Sequence, residues 1–73
     1  MLFSNIINIA KLYMGPAAEA FIKRQIKGHL KIEPEMLNNQ HVNDLAKWCQ
    51  VSAGLLMEKE KAREFGEKIR ELV

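Results

Sequence analysis

Between Val42 and Leu56 the residues Val42, Leu45, Ala46, Cys49, Ser52, Ala53 and Leu56 recur at helical spacing, which on an α-helix makes one continuous stripe of apolar or small side chains. A helix with such a stripe must bury it, and other helices are its only partners, because no segment outside the helical windows shows the two-residue alternation of a strand. The same helix carries a second apolar row, Trp48, Val51 and Leu55, beside the first. Its apolar face is therefore broad, and the pattern places this helix at the centre of an all-α domain.

The rest of the chain reads as three further helices. Phe3, Ile6, Ile7, Ile9, Ala10, Leu12, Tyr13 and Met14 cover most of the circumference of a first helix over 4–14, with Ser4 as its N-cap and Asn5, Asn8 and Lys11 as its polar strip. Gly15-Pro16 breaks the pattern, since proline lacks the amide an interior turn needs but suits the first turn of a new helix. A second helix over 16–32 follows, with Ala18, Phe21, Ile22, Ile26 and Leu30 on one face and Lys23, Lys27 and Lys31 stacked on another. Gly28 would admit a close approach by another helix. Glu33-Pro34 ends this segment, because the residue before proline avoids the helical region. Residues 34–37 then form a short turn whose Met36 and Leu37 plug the core. Asn38 or Asn39 caps the third helix, over 39–57. The fourth, over 58–72, presents Ala62, Phe65, Ile69 and Leu72 inward, with Glu64 and Lys68 paired on its outer side. The expected fold is a small four-helix bundle forming one domain over 1–73.

Size adds a constraint. A chain of 73 residues buries only about 60% of the surface its unfolded form exposes, so its core alone gives marginal stability. Small proteins commonly add a disulfide, a metal or a partner subunit. Cys49 is alone, which excludes an intrachain disulfide. His29 and His41 lie twelve residues apart with no second cysteine to complete a zinc set. Self-association is the device left. Net charge is only +2 but unevenly spread, with a basic N-terminal half and a mildly acidic C-terminal half. Met1-Leu2-Phe3 opens without the basic leader of a signal peptide, and no run approaches the roughly 18 apolar residues of a membrane span. A cytoplasmic, reducing setting is the expectation.

The segment Tyr13-Met14-Gly15-Pro16-Ala17-Ala18-Glu19-Ala20-Phe21-Ile22-Lys23-Arg24 resembles the Y-I-G-P-x-A-x-x-hydrophobic-hydrophobic-K-R signature of a small helical domain found at the C-termini of bacterial signalling proteins, including serine/threonine kinases and response regulators. The downstream leucine-rich helix and short final amphipathic helix are also similar. The resemblance covers most of residues 9–72 and implies a non-catalytic accessory module that acts by interaction or assembly. It supplies no active-site residues. Standing alone, without a kinase or receiver domain beside the module, is the expectation that sets this chain apart from that pattern.

No nucleophile beside a base, no metal-spaced cluster and no phosphate-cradling glycine loop can be assembled from these residues, so no catalytic, cofactor or metal site is expected. The principal expectation is a protein-interaction or oligomerisation module, with a second copy of the chain as partner. Its interface candidates are Phe3, Ile6, Ile9, Leu12 and Tyr13 on the first helix and Trp48 and Leu55 on the third, because aromatic and large apolar residues dominate interface energy. The alternative is a nucleic-acid contact through Lys23, Arg24, Lys27 and Lys31, whose charges could neutralise phosphates. Cys49 reads as core packing, and His41 as part of the first turn of its helix.

Overall fold

The stripe on the third helix is sealed where its spacing requires. Val42, Leu45, Ala46, Cys49 and Ala53 all have zero exposure. The computed structural model describes residues 1–73 as four α-helices, α1 (Leu2–Met14), α2 (Ala18–Gln25), α3 (Val42–Ala53) and α4 (Lys59–Arg70), with no strand. Ile6, Ile7 and Ala10 of α1, Ala18, Phe21 and Ile22 of α2, the following Ile26, and Ala62, Phe65 and Ile69 of α4 close over the stripe as a single cluster. Each fully buried large aliphatic or aromatic side chain in it stabilises the fold by about 1.5–3 kcal/mol relative to exposure. No helix is long and apolar enough to cross a membrane.

Helices α3 and α4 make the most extensive contact between any two elements. Gly66 explains how they approach so closely: a Cβ there would lie 2.8 Å from Gln50 Oε1, 3.1 Å from Gln50 Cβ and 3.3 Å from the Ala46 carbonyl oxygen. Ser52 interrupts the apolar stripe for a reason that is also visible. Its hydroxyl donates to Gln25 Oε1 at 2.9 Å, satisfying the one buried polar side chain, Gln25, and tying α3 to α2.

Between α1 and α2 the break falls at Gly15-Pro16. Gly15 has φ +57° and ψ −131°, which L side chains rarely adopt, and its N–H reaches back to the Lys11 carbonyl. Pro16 then opens a 3-10 turn, Gly15–Ala17, that runs into α2. At its other end α2 departs from the expected straight helix to residue 32. The α-pitch holds only to Gln25, Ile26–Leu30 form a π-helical turn, and Lys31 reverses the chain in the left-handed region at φ +58°. Gly28 brings no side chain to hold the α-pitch, and it accommodates no neighbour either, since nothing lies within 4 Å of where its Cβ would be.

Smaller differences have local causes. Ser4 does not cap α1. The Asn5 N–H already bonds to the Met1 carbonyl at 3.0 Å, so the helix begins at Leu2 and Ser4 stands exposed within it. The turn at Pro34–Met36 forms as expected, but only Leu37 packs against the core and Met36 is exposed. Asn38 caps the short 3-10 turn Asn39–His41 that leads into α3, accepting from the Gln40 N–H at 2.8 Å, while His41 Nδ1 accepts from the Asn38 N–H at 3.1 Å. This is a capping box with histidine in the usual place of glutamate, and it delays α3 to Val42. Helix α3 ends at Ala53, not Met57, so Leu56 leaves the stripe and is exposed. On α4, the Glu64 carboxylate turns to Tyr13 instead of Lys68, and the i,i+4 pair that forms is Arg63–Glu67 at 3.9 Å.

Candidate protein-docking surface

The two apolar rows of α3 meet opposite fates. The first is core. Of the second, Val51 is 56% exposed and Leu55 87% exposed, while Leu56, just beyond, is 68% exposed. These three large aliphatic side chains crowd the end of α3 and the turn into α4, where the packing of Gly66 draws the two helices together and leaves their outer edges uncovered. A groove of about 650 Å³ opens there, bounded by Val51, Gly54 and Leu55 on one side and by Lys59, Glu60 and Arg63 of α4 on the other, with Ala62 among its lining residues. Exposed aliphatic side chains rimmed by charges are the usual signature of a contact surface.

Trp48 belongs to the same row but is half-buried. The imidazole of His29, carried out by the π-helical turn, stacks on its indole with ring centroids 4.0 Å apart and planes 5° from parallel. Lys47 Nζ lies 5.9 Å from the indole centroid. Trp48 therefore serves chiefly to dock the end of the α2 segment onto α3, and the stack occupies one face of its ring.

The first helix offers a partner less than its composition suggests. Ile6 has no exposed surface and is core, not interface. Phe3 and Ile9 are partly buried against the core cluster, as is Tyr13. The Tyr13 hydroxyl donates to Glu64 Oε2 at 2.6 Å, and its ring lies 5.2 Å from that of Phe65, so Tyr13 fastens α1 to α4. Burial pushes its phenol up to about 12, and the adjacent Glu64 carboxylate works in the same direction. The hydrogen bond from Tyr13 holds Glu64 below its ordinary value. Leu12 alone among the large α1 side chains of the expected interface remains open, at 78% exposure, beside Met57 on the other flank of the α3–α4 turn.

The basic row of the second helix is not continuous. Lys23 Nζ lies 2.8 Å from Glu19, which depresses that carboxyl, Lys27 reaches Glu33 at 4.0 Å, and Lys31 lies beyond the end of the helix. Arg24 remains an exposed cation without an acidic partner. Cys49 is sealed in the core, and burial pushes its thiol up to about 12, leaving it protonated and unreactive at neutral pH. No three His, Cys, Asp or Glu side chains gather as a metal site would require.

Comparison with family models, with curated proteins and with solved structures finds no match to this chain. What the surface meets must follow from its own chemistry. The row Trp48, Val51, Leu55 is legible in the sequence as an apolar set. Leu55 is exposed as its place among the interface candidates expects, whereas the exposure of Val51 is not marked in the sequence, because it depends on α4 approaching from the Gly66 side.

Proposed function

We propose that this chain is a non-catalytic protein-docking module whose contact surface is the end of α3 and the turn into α4. The observation that supports it is the exposure of Val51 and Leu55 together on one groove, with Leu56 also exposed in the same turn. Leaving large aliphatic side chains in water forgoes about 1.5–3 kcal/mol each, a large loss for so small a core. A partner that covers them recovers that free energy, less the cost of association. The resemblance of Tyr13–Arg24 to accessory domains of signalling proteins agrees with a role in assembly.

A photo-crosslinking amino acid at position 55, with a second at the exposed position 35 on the far turn as control, tests this reading in cells. Protein adducts are expected at position 55 and not at 35. Absence of any adduct at 55 overturns the docking surface.

A further inference from the structure

The charges around the groove identify what fits it. A surface made for an acidic partner would be rimmed by one sign of charge, whereas this groove is bounded by Lys59 and Arg63 together with Glu60. Glu60 and Arg63 are three residues apart on α4 and therefore share a face. Such a pair of opposite charges beside an apolar patch complements itself when rotated by a half-turn. A two-fold axis passing between Lys61 and Ala62, with two α4 helices antiparallel across it, sets residue 60 of each helix opposite residue 63 of the other.

We propose that the groove takes a second copy of this chain, in a two-fold dimer in which Glu60 of each copy meets Arg63 of the other. Val51 and Leu55 of both copies are covered on the flank of this contact. Both sides then contribute the same apolar residues, as an isologous interface requires. The Arg63–Glu67 contact within the chain does not compete strongly, since at 3.9 Å between exposed side chains such pairs hold weakly in water. Glu60 itself takes part in no ion pair within the chain, so its carboxylate is free for the second copy. The dimer expected for a domain of this size thus uses the α3–α4 edge instead of the first helix. This inference rests on the docking reading above and names its partner.

Sedimentation equilibrium of the whole chain from micromolar to near-millimolar concentration, combined with charge reversal, tests it. The unaltered chain should pass from 8.4 kDa to twice that mass as concentration rises. E60R sets two arginines against each other at both symmetric points, and R63E sets two glutamates against each other there, so each variant alone should dimerise at least about tenfold more weakly. Mixing the two variants removes the clash at both points, because the E60R chain presents arginine at both positions and the R63E chain glutamate at both: one point regains the native Glu60–Arg63 pair and the other carries the same pair reversed. Opposite charges therefore meet at both points, and association should be restored as a heterodimer, which a merely structural role of either residue would not produce. Circular dichroism checks that both variants keep their helices, as expected for exposed positions. Three results overturn the proposal: a monomer at every concentration, a dimer indifferent to both reversals, or a mixture no tighter than its components. If the chain stays monomeric while position 55 still crosslinks to a different protein, the docking surface stands and the second copy is wrong. If position 55 captures nothing at all, the docking surface itself fails.

Discussion

Gly66 and Gly28 both lie within helical turns, yet a Cβ at Gly66 would press on Gln50 and Ala46 while one at Gly28 would meet nothing. The two positions typify their regions. In the α3–α4 pair every departure from good helix chemistry is offset by contact: the glycine admits a neighbouring helix, and Ser52 satisfies a buried amide. In the crossover from Ile26 to His41 the departures are looser. A π-helical turn, a left-handed lysine and two short 3-10 turns carry the chain around with one fully buried side chain, Ile26. The difference shows that the helical hairpin holds the fold while the crossover mainly has to reach.

The largest test of this contrast is Leu45→Ala. Leu45 has no exposed surface and lies mid-helix in α3, where neighbours cannot easily collapse, so the loss should be about 2–5 kcal/mol in urea unfolding. A loss below about 1 kcal/mol would mean that the hairpin does not dominate stability.

Alkaline titration should come next. Cys49 and Tyr13 hold their protons in the folded chain up to about 12, whereas their ordinary values are 9.0 and 10.0. Above pH 9 the unfolded chain therefore binds fewer protons than the folded one, and stability falls as pH rises toward 12. Cys49→Ala should flatten the early part of that fall, measured as the urea midpoint against pH.

At the helix crossing, Gly66→Val should cost about 1–3 kcal/mol through overpacking against α3. Gly66→Ala should cost less, because the gain of about 1 kcal/mol in helix propensity offsets part of the strain. In the crossover the sign reverses. Gly28→Ala should stabilise by about 0.4–1 kcal/mol, and Lys31→Gly should give up to about 1 kcal/mol by relieving its positive φ. Thermal melts of the two alanine variants side by side would erase the contrast if both moved the same way.

What can be deduced from the sequence follows the same division. Spacing alone locates the core face of α3, the break at Gly15-Pro16 and the inward set Ala62, Phe65 and Ile69, because apolar periodicity and proline act locally. The crossover is harder to foresee. Nothing local marks Ile26–Leu30 as a π-turn, since the contact that favours it, the stacking of His29 on Trp48, comes from a residue nineteen positions away. Of the surface, the sequence marks Leu55 but not Val51 or Leu56, for a related reason. The apolar girth of the first helix looks like excess, yet Tyr13, Phe3 and Ile9 find cover in the folded core, and of that helix's expected interface only Leu12 is left open, while Val51, Leu55 and Leu56 are left over at the end of α3.

The Tyr13–Glu64 bond joins residues 51 positions apart, and that separation has a kinetic consequence. Contacts between α1 and α2 and between α3 and α4 close short loops, whereas α1 against α4 closes nearly the whole chain, and such closure is slow. On the ribosome, α4 is the last of the four helices to emerge, so the α1–α4 contact cannot form until all four have been made. The helices must dock before a side-chain hydrogen bond at the exposed rim of their contact can close, so the Tyr13–Glu64 bond is expected to form on the native side of that slow step. Tyr13→Phe should accordingly accelerate unfolding in stopped-flow measurements and leave the folding rate almost unchanged, making this one hydroxyl a latch on the lifetime of the native state rather than a guide to reaching it.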